Sequence, residues 1–102
     1  MVVARWQVNA RFGRKQELIA EIRHWWDTIG REIGQTEVCI LTGSVGAAES
    51  LITVDVQCRD LAQLEQQWDQ LAQREDHKAF TERVEPLVVS GSTRWEILRP
   101  TA

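Results

Sequence analysis

Apolar and polar residues alternate with a period of two at the start of this chain. Val2, Ala4, Trp6 and Val8 interleave with Val3, Arg5, Gln7 and Asn9, which predicts a strand over residues 2–9. The period then changes. Leu18, Ile19, Ile22, Trp25, Trp26, Ile29 and Ile33 recur at helical spacing, so a broad apolar stripe predicts a helix over residues 15–33, with Gly34 as its C-terminal stop. Residues 37–42 and 51–58 read as a strand pair, joined by a Gly43-to-Glu49 loop too long for a two-residue hairpin turn. Asp60 followed by Gln63 has capping-box spacing and opens a second helix with Leu61, Leu64, Trp68 and Leu71 on its apolar face. The pattern lapses at Arg74-Glu75-Asp76 and resumes at His77, Phe80, Val84 and Leu87. A break or a second helical piece is expected there, limited by Pro86. Ser90-Gly91-Ser92 turns the chain into a last strand over residues 93–98.

The order is therefore βαββαβ. Right-handed crossovers turn two βαβ units into a four-stranded antiparallel sheet with both helices on one face, an α+β, ferredoxin-like plait. Parity assigns Ala4, Trp6, Val8, Val38, Ile40, Ile52, Val54, Val56, Trp95 and Ile97 to the helix-covered core. The opposite face carries Arg5, Gln7, Asn9, Cys39, Leu41, Thr53, Asp55, Arg94 and Glu96 among others. Parity leaves two readings of that face open: a solvated open sheet, or a surface that meets its mate in a homodimer with its charges paired, since an unpaired buried charge costs several kcal/mol.

At 102 residues, 43% apolar and 26% charged, the chain fits one globular domain spanning 1–102. A net charge of −3 without a Lys/Arg tract argues against nucleic acid. No apolar run approaches the roughly 20 residues that span a bilayer, and the first residues lack signal-peptide character. The expected compartment is the cytoplasm, with both cysteines reduced. Cys39 and Cys58 have opposite strand parity, so a disulfide between them is not expected.

Several segments resemble the C-terminal half of NIPSNAP-like proteins: Asp60-Leu61-Ala62-Gln63-Leu64-Glu65, Trp68, Asp76-His77-Lys78-Ala79-Phe80, Val84-Glu85-Pro86-Leu87-Val88 and Glu96-Ile97-Leu98-Arg99-Pro100. Phe12-Gly13-Arg14-Lys15 stands where that family often has Pro-Gly-Lys ahead of its first helix. The resemblance extends to the antibiotic-biosynthesis monooxygenases and covers nearly the whole chain with diffuse motifs. It implies a homodimer whose sheets pack face to face as a dimeric α+β barrel, often with a small cavity between sheet and helices. It also implies a range of activities, including cofactor-free oxygenation, haem degradation and isomerisation. The haem-degrading relatives use an Asn on the first strand with a Trp and a His from the second-helix region. Asn9, Trp68 and His77 match those types, but Trp68 lies two turns before Asp76 and His77 falls within the break, so the spacing departs.

His77 is the candidate catalytic residue, because imidazole titrates near neutral pH and a helix break is a natural cavity mouth. The structural alternative is a helix-end residue beside Asp76. Arg5, Asn9 and Arg94, with Asp55, share the polar sheet face. They suit either a ligand carbonyl or carboxylate, to which Arg gives bidentate donors, or an interfacial ion-pair network. Trp68, with Trp6, is the candidate aromatic wall of a ligand pocket, or else plain packing. His24 reads as a surface residue. Two distant histidines make no metal site, no glycine-rich phosphate loop is present, and no cofactor is expected. The reading is thus a small cytoplasmic NIPSNAP-like homodimer that binds a small hydrophobic ligand between sheet and helices. The alternative is a cofactor-independent monooxygenase or isomerase acting on an aromatic or polyketide-like substrate.

Overall fold

The computed structural model describes residues 1–101. Strand β1 covers Val2–Asn9, β2 Val38–Thr42, β3 Leu51–Cys58 and β4 Arg94–Leu98. They form one antiparallel sheet in the order β2-β3-β1-β4. This is the plait that the alternation predicts. The register sets Arg5 opposite Asp55 and Trp6 opposite Val54 on β3, and Arg5 opposite Glu96 and Trp6 opposite Trp95 on β4.

The helical layer is more segmented than the apolar stripe suggests. Helix α1 runs Lys15–Trp25 and continues as a π-helical turn, Trp26–Gly30, in which Gly30 O accepts from Gln35 N at 2.9 Å. The second crossover contains α2, Leu61–Ala72, and α3, Glu75–Val84, separated at the expected break and followed by a short 3-10 turn, Glu85–Leu87, that contains Pro86. Asp60 caps α2 by accepting from Gln63 N at 2.8 Å, and the Gln63 side chain accepts from Arg59 N, one residue earlier than a standard capping box. Arg74 clamps the break to both Asp76 and Glu32.

The core lies between the sheet and α1 and α2. Ala4, Val8 and Ile52 from the sheet meet Leu18 and Leu64 from the helices, all essentially without solvent contact. Two expected core residues depart from this. Trp95 is 46% exposed and Ile97 40%. Both have helix-side parity, but β4 is an edge strand that the helical layer covers only in part. Leu61 and Trp68, expected on the apolar face of α2, are likewise partly exposed, while Gln67 is buried in that helix. Gln67 Oε1 lies 3.5 Å from Gln35 Nε2 and 3.9 Å from Cys58 Sγ, so the core contains a small polar cluster.

Candidate functional site

On the polar face of the sheet, Arg5 donates to both carboxylate oxygens of its cross-strand partner Asp55, at 2.8 and 3.0 Å. This bidentate bond is the main cause of the raised Arg5 pKa. Gln7 donates to Glu96, and Arg94 lies 3.7 Å from Glu96 along β4. Asn9 sits at the end of the same row, where its backbone N–H donates to Ser92 Oγ and its carbonyl accepts from Val89 N. Between these charges Thr53 is only 8% exposed, and its hydroxyl has no partner.

The other candidates lie on the far side of the sheet. His77 occupies the first turn of α3, where its Nδ1 accepts from Trp25 Nε1 at 3.0 Å. Phe80 completes a half-buried aromatic cluster, with ring centroids about 6 Å apart. Burial lowers the His77 pKa, and the Asp76 charge opposes that shift. Trp68 packs edge-on against Trp95 with ring centroids 5.3 Å apart. Arg5, Asn9 and Arg94 therefore share one face, Trp68 and His77 belong to the other, and the structure does not bring the five together into one pocket. Among the described residues, no three His, Cys, Asp or Glu side chains group as metal ligands.

A concavity between helix and sheet does exist, at a place that no sequence motif marks. Arg23, Trp26 and Asp27 from α1 and its π turn face Val38 and Ile40 of edge strand β2 across an open groove of about 300 Å³. The floor is apolar and aromatic, and a cation and an anion stand at the rim. Behind it, Trp26 Nε1 and Gln35 Oε1 are buried without partners. Gly30 permits this packing: a Cβ there would fall 2.8 Å from Trp26 Cδ1. Arg31 lies over the Trp26 ring, 5.3 Å from its centroid. Asp27 is the one carboxylate in this lining and Arg23 the one cation, beside Trp26, Val38 and Ile40. The one sequence signal is Gly30 inside an otherwise helical stripe. A larger open concavity of about 620 Å³ lies at the β1–α1 turn, where Lys15 is engaged by the Glu49 carbonyl and carboxylate beneath the fully exposed Phe12.

No family model matches the chain, and no curated protein matches it. Solved structures do. A NIPSNAP family protein from Agrobacterium tumefaciens superposes with a TM-score of 0.82 at 23% identity, over 98% of this chain and 92% of that one. An uncharacterized NIPSNAP domain protein from Burkholderia xenovorans gives 0.82 at 18% identity, over 100% and 96%. The fold is that of the NIPSNAP proteins. A presumed antibiotic biosynthesis monooxygenase from Deinococcus radiodurans has the same architecture, with a TM-score of 0.72 at 10% identity over 100% of this chain and 94% of that one. At these identities the likeness is one of fold. It extends the NIPSNAP resemblance read from the sequence to the whole backbone.

Proposed function

We propose that this NIPSNAP-type chain is a cytoplasmic homodimer that binds a small, mainly apolar ligand. The observation that carries this reading is the groove between α1 and β2, whose volume stands at the lower end of small-molecule sites and whose lining combines Trp26, Val38 and Ile40 with Arg23 and Asp27 at the rim. The ligand place expected between sheet and helices is thus assigned to the β2 edge. In this reading Arg5, Asn9 and Arg94 face the sheet of the partner subunit, Trp68 belongs to the β4 edge, and His77 holds Trp25 in place without acting as an acid or base. Two features support a covered polar face: the bidentate Arg5–Asp55 pair and the nearly inaccessible Thr53 hydroxyl, which lacks a partner within the chain. Two free thiols, one of them exposed at Cys39, fit a reducing compartment.

Native mass spectrometry of the purified protein tests both parts. The expected spectrum is a dimer with a small added mass, and the added mass disappears in Trp26→Ala while the dimer persists. A dimer free of added mass that also binds no member of a library of small aromatic and aliphatic probes, read by tryptophan fluorescence, overturns the ligand reading. A monomer overturns the homodimer.

A further inference from the structure

The two charges at the rim of the groove between α1 and β2 are not equivalent. Arg23 and Asp27 stand one helical turn apart, a spacing at which an arginine and an aspartate can pair. They do not pair with each other. Asp27 lies 3.9 Å from Arg31, one turn further on, and Arg31 also covers the Trp26 ring. Arg5, Arg59, Arg83 and Arg94 all have a carboxylate partner. Among the described residues Arg23 has neither an ion pair nor a side-chain hydrogen bond, although it lines a concavity. The rim therefore carries one more cation than anion: Arg31 balances Asp27, and the donors of Arg23 remain free.

We propose that the ligand of this groove is a small organic monocarboxylate with an aromatic or branched apolar body, its carboxylate held by Arg23 and its body laid against Trp26, Val38 and Ile40. The inference rests on the ligand reading above and names the chemical class that the site selects. A guanidinium offers two parallel N–H donors, the fork that a carboxylate matches. A neutral amide or alcohol would leave that charge uncompensated, and an alkylammonium would meet it as a like charge. Asp27 is a poor receptor for a cation, because Arg31 already stands beside it. The apolar half of the ligand follows from the floor. Val38 and Ile40 are half-buried and share one side of edge strand β2. The Trp26 ring has little freedom: Arg31 lies 5.3 Å from its centroid, and its Cδ1 edge meets the bare backbone of Gly30. A fixed indole is a platform for a flat ring. At about 300 Å³ the groove stands near the lower end of ligand sites, which favours one ring or a short chain over the fused rings of a polyketide.

The test uses the full chain and three probes of similar size: phenylacetate, phenylacetamide and phenethylamine. Binding is followed through the indole N–H signals in nitrogen–proton correlation spectra, with the Trp26 signal assigned by its loss in Trp26→Phe. The acid is expected to bind about tenfold more tightly than the amide, and the amine more weakly than either. Arg23→Gln should weaken the acid about tenfold and leave the amide unchanged. The melting temperature should stay the same, because Arg23 is exposed and has no carboxylate partner to lose. Arg23→Lys should restore part of the affinity, since an ammonium keeps the charge and loses the fork. Asp27→Asn should strengthen the acid about twofold by removing the one negative charge of the lining. If acid and amide bind alike and Arg23→Gln changes neither, or if the amine binds best, the carboxylate inference is overturned while the ligand reading stands. If none of the three moves the Trp26 signal at millimolar concentration, the inference is overturned as well, and the ligand reading falls with it only when the wider probe library also fails to bind.

Discussion

Trp25 and His77, 52 residues apart in sequence, are joined by a hydrogen bond in which the indole N–H donates to imidazole Nδ1 at 3.0 Å. The bond pins α1 to α3 and requires a neutral imidazole carrying its proton on Nε2. Burial lowers the His77 pKa from its ordinary 6.5, so between the two values the unfolded chain binds more protons than the folded one. The stabilisation is fully present above about pH 6.5 and is lost as pH falls through the lowered folded-state pKa. The melting temperature should therefore drop more between pH 7.5 and pH 5 in the unsubstituted protein than in His77→Gln. Equal drops in the two proteins would show that His77 is not a sensor of this kind.

Asp60 accepts the Gln63 amide at the head of α2, and that bond is the chief cause of its lowered pKa. Asp60→Ala should cost about 1 kcal/mol, and Asp60→Asn or Asp60→Ser much less, because either keeps an acceptor at the cap. Urea denaturation of the three variants gives the ranking.

Leu18 and Leu64 are fully buried from opposite helices against the sheet. Either one changed to Ala should lose about 2–5 kcal/mol, since the surrounding core relaxes only partly around the missing methyl groups. Trp95→Ala, at an exposed edge, should cost far less in the monomer. Chemical denaturation under dilute conditions separates the cases.

Gly43 packs so closely on the Ala48 carbonyl that an added Cβ would overlap it. Gly43→Ala should displace the β2–β3 loop and lower stability by about 1–3 kcal/mol, the usual cost of overpacking. Gly30→Ala is milder at the backbone, because the clash is with the Trp26 ring. Its expected signature is a shifted tryptophan emission and a lost ligand, with the melting temperature changed less than in Gly43→Ala.

The Arg5–Asp55 bond distinguishes a covered sheet face from a solvated one. Side-chain exposures of 34% and 17% in the single chain already mark it as partly shielded. A double-mutant cycle with Arg5→Ala and Asp55→Ala at dimer-forming concentration should give a coupling above about 1 kcal/mol that salt barely alters. Exposed pairs reach roughly 1 kcal/mol at most and are screened.

Much of this architecture is legible in the sequence, because period-two and period-3.6 patterns report which face each element buries. Asp60, Gln63 and Pro86 mark helix boundaries through local hydrogen bonding and sterics, and the lapse at Arg74-Glu75-Asp76 marks the break. What parity cannot report is lateral position within a sheet. Trp95 and Ile97 point to the helix side as expected, yet are half exposed because β4 is the last strand. The groove is hidden from the pattern for the same reason, since Val38 and Ile40 have core parity and lie on the other edge strand. The π turn leaves only Gly30 as a trace, because a stripe of Ile29 and Ile33 is compatible with either helical path. His77 has the chemistry of a proton handler, but its tie to Trp25 is invisible in the sequence because the two residues meet only through the packing of α1 on α3.

The π turn at Trp26–Gly30 also has an evolutionary meaning. It accommodates one residue more than an α-helix would need along the same path. Losing a residue such as Thr28 would restore regular winding and leave the residues on either side of the turn on the faces they already hold, so that only the turn's own side chains, Trp26 among them, would be re-aimed while the sheet register stayed the same. The groove would change shape and the plait would keep its strand order. The shape of this groove is therefore a property that a single deletion can alter, independently of the fold that carries it.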